Sequence, residues 1–184
     1  MDPLAHTLFG AAMAETGLKK CSRYATATLL IGANLPDIDA VAMLWGGDIS
    51  LYIRRGWSHG VLAMVVLPVV LVGGIWFWHR WRNRRRPDAP PVHWLWLVAI
   101  SFIAVWSHPL LDWLNTYGIR LLMPFDDTWF YGDTLFIIDP WVWLLAAAGV
   151  VLARSASRPL WVAWVVLGGL TSGLILTSDL GSGG

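Results

Sequence analysis

Trp106-Ser107-His108-Pro109-Leu110-Leu111-Asp112-Trp113-Leu114-Asn115-Thr116-Tyr117-Gly118 ends an apolar run that starts at Val92. Read as helix, Val92 to Leu111 is long enough to cross a bilayer core of about 30 Å. It contains no Asp, Glu, Lys or Arg. The same helix puts His108 and Asp112 four residues apart, one turn above the other on one face. Imidazole nitrogen and carboxylate oxygen so placed can hold one divalent ion. A polar helix end that simply meets water at the membrane surface fits the pair equally well, so the rest of the chain has to decide.

Composition places the chain in the membrane. Of 184 residues, 57% are hydrophobic and 14% charged, against roughly 25% charged in soluble domains. Fourteen tryptophans suit a protein with two membrane–water interfaces, where Trp gathers. The fold class that follows is all-α: a polytopic membrane bundle of about four full spans plus a short N-terminal helical hairpin. Residues 1–178 read as one integral-membrane domain and 179–184 as a flexible tail or an expression scar. A net charge of +1 gives no ground for nucleic-acid binding. The single cysteine, Cys21, excludes an internal disulfide and a thiolate-rich metal site. The N-terminus lacks the basic region of a secretory signal peptide, since Asp2 stands where it would be.

Asp2-Pro3 is a strong helix start, with Asp as cap and Pro in the first turn. The apolar run Leu4 to Leu18 is short, and a second run from Tyr24 is interrupted by Leu35-Pro36-Asp37-Ile38-Asp39. Residues 4–45 therefore read as a hairpin broken at Pro36. Carboxylates inside an apolar run cost about 2.5–3.5 kcal/mol each on insertion scales and mark functional cavities; the alternative is that one of them caps the next helix. Gly60 to His79 and Val92 to Leu111 are full spans. Asp139-Pro140 repeats the Asp-Pro start, ahead of a last hairpin, Trp141 to Ala153 and Leu160 to Leu176. Ser58 is placed to cap the helix that follows it.

The positive-inside rule orients these segments. With the run Arg80, Arg82, Arg84, Arg85 and Arg86 in the cytoplasm, Lys19, Lys20, Arg23, Arg154 and Arg158 fall on the same side, and only Arg54, Arg55 and Arg120 lie outside. Six residues that played no part in that choice then share one depth near the outer leaflet: His6, Asp37, Asp39, His59, His108 and Asp112. At 1.5 Å per residue His6 and Asp37 stand roughly 20 Å above the inner turn and His108 about 24 Å above its own helix start. His79 and His93 fall at the cytoplasmic edge and read as interfacial.

Three histidines and three aspartates have the ligand types of a zinc or two-metal site. Such a site activates water as a nucleophile. One of the aspartates not used as a ligand can serve as general base, with Asp37, Asp39 and Asp133 as the candidates. Arg54, Arg55 and Asn115 are the substrate-binding candidates, the arginines for an anionic group such as phosphate or, equally, as solvated loop residues. Asp139 reads first as a helix cap.

Met1-Asp2-Pro3-Leu4-Ala5-His6, Leu35-Pro36-Asp37-Ile38-Asp39, Arg55-Gly56-Trp57-Ser58-His59, His108-Pro109-Leu110-Leu111-Asp112 and Tyr131-Gly132-Asp133-Thr134-Leu135-Phe136-Ile137-Ile138-Asp139-Pro140 occur in that order. Together they resemble the YdjM-like, LexA-regulated, inner-membrane metal-dependent hydrolase family, from residue 1 to about residue 145. The resemblance implies a bacterial or archaeal inner-membrane protein, kinship with the zinc-dependent phospholipase C and P1-type nuclease group, and phosphoester hydrolysis. It implies His6, Asp37, Asp39, His59, His108 and Asp112 as metal ligands, with Asp133 and Asp139 as further site residues. Gly60 departs from the family pattern, where a serine is expected, and members commonly continue into a longer C-terminal region. The expectation is a multi-pass membrane enzyme with one or two zinc ions (Mn²⁺ or Mg²⁺ as substitutes) at an outward-facing site, acting on a lipid or lipid-linked phosphoester. A divalent-metal transporter or sensor using the same cluster is the alternative, and a polar cluster that only pins helices together is a third reading.

Overall fold

A computed structural model describes residues 1–83 and 91–155. Arg84 to Arg86, Arg158, the second arm of the expected C-terminal hairpin (160–176) and the tail lie outside the described residues. The chain is all-helical: α1 (Pro3–Glu15), α2 (Ala25–Asn34), α3 (Gly47–Ile53), α4 (Val61–Asn83), α5 (Trp94–Trp113) and α6 (Pro140–Ser155). A 3-10 turn, Leu18–Lys20, follows α1, and a long 3-10 segment, Leu35–Trp45, follows α2. Among the described residues there is no strand. Two isolated bridges, Asn115 with Leu135 and Ile119 with Phe130, fasten the loop between α5 and α6.

Three stretches are long and apolar enough to cross a membrane: Ala25–Trp45, Val61–Arg82 and Trp94–Trp113. The first corrects the expected break at Pro36. The chain does not turn aside there, because a proline in the first turn of a helical segment lacks only an N–H that had no partner anyway. It continues as 3-10, whose rise of about 2 Å per residue carries its 11 residues roughly 22 Å. The second arm of the hairpin is therefore of spanning length, whereas Pro140–Ser155, expected to span, is the shorter apolar helix.

Three residues per turn align side chains at i and i+3, and the 3-10 segment uses this to sort its residues into three rows. Pro36, Asp39 and Ala42 are buried. Asp37, Ala40 and Met43 line a cavity. Ile38, Val41 and Leu44 are exposed, Leu44 at 82%. An α-helix of 3.6 residues per turn would smear these rows.

The core lies where α1, α2 and α5 meet, around Met13, Ala14, Ala25, Leu29, Ile100 and Ala104. Glycine permits the close crossings. A Cβ on Gly10 would stand 2.9 Å from the Leu29 carbonyl oxygen, and one on Gly32 would stand 2.7 Å from Ala104 Cβ. Asp2 caps α1 by accepting from the Leu4 and Ala5 amides at 2.9 and 3.2 Å. Its other oxygen accepts from Trp143 Nε1 at 3.0 Å, tying α1 to α6. At their opposite ends Arg154 donates to the buried Glu15 at 3.0 Å, and Lys19 pairs with the same carboxylate. The outer faces of α4 and α5 expose Val69, Val70, Phe77, Leu95 and Trp96, more contiguous apolar surface than water tolerates.

Candidate metal centre

Three elements bring four ligand-type side chains to one point. Asp37 comes from the cavity row of the 3-10 segment, His59 from the turn before α4, and His108 and Asp112 from successive turns of α5. One ligand atom from each lies within 4.8 Å of the others. His59 Nε2 and His108 Nε2 are 3.0 Å apart. Asp112 Oδ2 stands 3.4 Å from the first and 3.6 Å from the second. Asp37 Oδ1 is 3.6 Å from His108 Nε2. Donors bound at 2.0–2.1 Å to one tetrahedral zinc stand about 3.3 Å apart, so these separations are those of a ligand set.

The surrounding hydrogen bonds fix which atoms face inward. His108 Nδ1 is 2.6 Å from the Ala33 carbonyl oxygen and can only donate to it. His59 Nδ1 faces Asp39 Oδ2 at 3.3 Å and Ser58 Oγ at 3.0 Å, so its proton belongs on that side. Both Nε2 atoms are then lone-pair acceptors. This carboxylate- or carbonyl-backed imidazole is the usual arrangement behind a metal. Burial lowers the pKa of His59 to about 4, against the pull of Asp39 upward, so the ring is neutral at neutral pH, the form that ligates. Two imidazole lone pairs and two carboxylate oxygens converge with no donor among them, and Asp112 Oδ2 is buried without a hydrogen bond. The group could therefore hold a metal ion.

The remaining candidates divide. His6 stacks on His108 with ring centroids 3.7 Å apart, and its Nε2 is 3.3 Å from Asp112 Oδ1. Both its nitrogens are buried without hydrogen-bond partners. It adjoins the four-residue group rather than belonging to it. Asp39, from the buried row, sits behind His59: its Oδ2 accepts from the Arg55 amide at 2.8 Å and from Ser58 Oγ at 2.7 Å. Asp39 thus orients a ligand, and Ser58, expected as a helix cap, gives its hydroxyl to Asp39.

Asp139 and Asp133 fall outside that four-residue group. Asp139 caps α6, accepting from Trp141 and Val142 amides at 2.9 and 3.3 Å, and is not one of the grouped ligands. Asp133 is exposed in a turn with φ 56° and also lies outside the group. Asn115 is held among protein groups. Fully buried, it donates to Asp112 Oδ1 at 3.2 Å and accepts from Arg55 Nη1 at 3.0 Å. Arg55 is equally committed: Nη1 also donates to the Gly118 carbonyl at 3.1 Å, Nη2 is 3.5 Å from Asp112 Oδ2, and the guanidinium lies over Tyr117. Only Arg54 of the three lines the cavity without such ties. The motifs gave no sign of the Met1 amino group, which packs against Asp112 Oδ1. His79 lies beside Tyr24, far along α4 from the cluster.

The departure at Gly60 has a steric reason. A Cβ there would stand 2.3 Å from the Met123 carbonyl oxygen, because the loop after α5 folds directly over this residue.

Buried histidines and aspartates gathered at the ends of membrane-length helices define a membrane protein with a site able to bind a metal ion. The chain belongs to the YdjM inner membrane protein family, whose profile it matches over residues 1–179. It is also 25% identical over 131 residues to the uncharacterized protein YfhP of Bacillus subtilis (strain 168). That match covers 71% of this chain and 37% of YfhP, so the chain spans little more than a third of that relative. No solved structure matches.

Proposed function

We propose that the protein is a multi-pass, metal-dependent phosphoester hydrolase whose site faces the outer side of the inner membrane. The observation that carries the metal half of this reading is the convergence of four acceptors, His59 Nε2, His108 Nε2, Asp112 Oδ2 and Asp37 Oδ1, with both histidine Nδ1 protons committed elsewhere. These side chains would hold a divalent ion, zinc by donor type, and His6 offers a further ligand on the Oδ1 side of Asp112. When bound, the ion supplies Lewis acidity for activating water and polarising a phosphoryl oxygen. Asp37 is the ligand-type residue that reaches the cavity, its side chain 18% exposed while Asp112 is fully buried. With Oδ1 given to the ion, the second oxygen of this carboxylate would take a proton from water entering there, so Asp37 serves as ligand and base together. Asp39 holds His59 in its ligating tautomer. Arg55 and Asn115 hold Asp112.

A one-sided site supports hydrolysis over transport. Beneath the cluster, Leu29, Ala33, Ile100 and Ala104 are packed to 1% exposure or less, while the opening lies at the Asp37 side. The test is metal analysis of purified protein before and after zinc loading, followed by phosphoester turnover in nanodiscs. Bound zinc with turnover is the expected result. No bound metal refutes the reading, and metal uptake into liposomes without turnover assigns the cluster to a carrier.

A further inference from the structure

Arg54 and Arg55 are neighbours with opposite surroundings. Arg55 takes φ 55°, a left-handed conformation that costs an L-residue about 1–2 kcal/mol. Its amide donates to Asp39 and its carbonyl accepts from the Arg120 amide at 2.8 Å, which hold the turn. Both arginines line a cavity of about 400 Å³, but the Arg55 guanidinium is held by Asn115, Gly118 and Asp112, which leaves Arg54 as the arginine there without a side-chain partner. Arg54 Nε is buried with no hydrogen-bond partner, and among the described residues no carboxylate pairs with its guanidinium. A half-exposed guanidinium without a carboxylate partner beside a cavity is suited to a tetrahedral oxyanion, which its planar fork binds in bidentate fashion.

The walls of that cavity say how the anion arrives. Part of the lining is the row Asp37, Ala40 and Met43; another part is Ile137 and Ile138. Each continues into exposed apolar side chains. On the first side these are Val41 and Leu44, and on the second Phe136 at 72% exposure. Polar lining residues, Asp2, Asp37, Arg54, Arg55 and Tyr117, thus share one cavity with apolar ones that continue into exposed apolar side chains, a combination that suits an amphiphile better than a water-soluble ester.

We propose that this cavity binds a membrane lipid with a phosphate head group: Arg54 holds the phosphate next to Asp37, and the chain leaves between Met43 and Ile138. The head group's identity rests on the phosphoester reading above; its position rests on Arg54 and the two parts of the lining. The experiment is native mass spectrometry of the zinc-loaded full chain in detergent, titrated with dioleoyl phosphatidic acid, dioleoylglycerol and inorganic phosphate. Wild type should bind phosphatidic acid at least about tenfold more tightly than dioleoylglycerol, the share of one charge-assisted contact. Arg54→Gln should erase that preference with metal content unchanged, and Arg54→Lys should keep most of it. Ile138→Asn should weaken phosphatidic acid but not inorganic phosphate. Equal binding of the two lipids by wild type overturns the proposal even if every variant misfolds. So does inorganic phosphate binding as tightly as phosphatidic acid, which would mark a free-phosphate site. Lipid binding through Arg54 without any turnover refutes hydrolysis and leaves the lipid site standing. Turnover with phosphatidic acid binding unchanged in Arg54→Gln refutes the lipid site alone.

Discussion

His59 and His108 meet nitrogen to nitrogen, Nε2 to Nε2 at 3.0 Å, each with its other nitrogen facing an acceptor from a different part of the chain. His59 leans on Asp39 of the 3-10 segment, His108 on the Ala33 carbonyl of α2. The pair is thereby coupled to the 3-10 segment and to α2, so a metal ion held there would add to the stability of the bundle.

His108→Ala and Asp112→Asn should each abolish stoichiometric zinc, since each removes a ligand from the four-residue set. Asp39→Asn removes only the backing of His59 and should weaken zinc by about 10–100-fold, the range for outer-shell partners. Zinc titrations with a competing chelator separate the two classes. Equal loss in all three would place Asp39 among the ligands.

Chelation should lower the unfolding temperature of wild type. A ligand present at about 1,000 times its dissociation constant stabilises by about 4 kcal/mol, and that stabilisation disappears with EDTA. In Asp112→Asn the same EDTA treatment should leave the transition where it was. Differential scanning fluorimetry in detergent reads both, and an EDTA-insensitive wild type would contradict a structural contribution from metal.

Arg55→Ala should destabilise strongly, by about 3–5 kcal/mol, because it leaves a buried carboxylate without its partner. Arg54→Gln should move the transition by less than about 0.5 kcal/mol, as for a residue outside the packed network. Chemical denaturation of the two variants in one detergent tests the contrast. Similar losses at both positions would mean that the adjacent arginines share one structural role.

Gly60→Ser, which restores the residue expected of the family, should cost about 1–3 kcal/mol through overpacking against Met123. A stable Gly60→Ser protein would show that the loop over residue 60 can move aside.

Asp139→Ala should cost about 1 kcal/mol, the loss of a helix cap, with zinc content unchanged. Reduced zinc in this variant would return Asp139 to the ligand set.

The sequence was informative where long-range order follows from simple rules. Helix lengths and the bias of basic residues grouped His6, Asp37, Asp39, His59, His108 and Asp112, and the structure brings these six together. It was uninformative where a local backbone state decides. Nothing in Leu35-Pro36-Asp37-Ile38-Asp39 distinguishes a period of 3 from one of 3.6, yet that choice sends Asp37 to the cavity and Asp39 behind His59. Arg54 and Arg55 are alike in sequence and are separated by one left-handed φ. Asp139 carried two legible roles, cap and ligand, and only its hydrogen bonds to Trp141 and Val142 choose between them.

The three rows of the 3-10 segment carry a consequence for how this part of the chain can change. With three residues per turn, inserting or deleting a single residue between Asp39 and Leu44 rotates everything beyond it by one third of a turn. After a deletion the exposed row becomes cavity wall, the cavity wall becomes buried, and the buried row becomes exposed; an insertion runs the same exchange in the opposite order. Substitutions within a row are tolerable, but a change of length is not, unless it comes in threes. The spacing from Pro36 to Trp45 is therefore a counted distance, and an insertion of three residues should be accommodated where an insertion of one unfolds the segment.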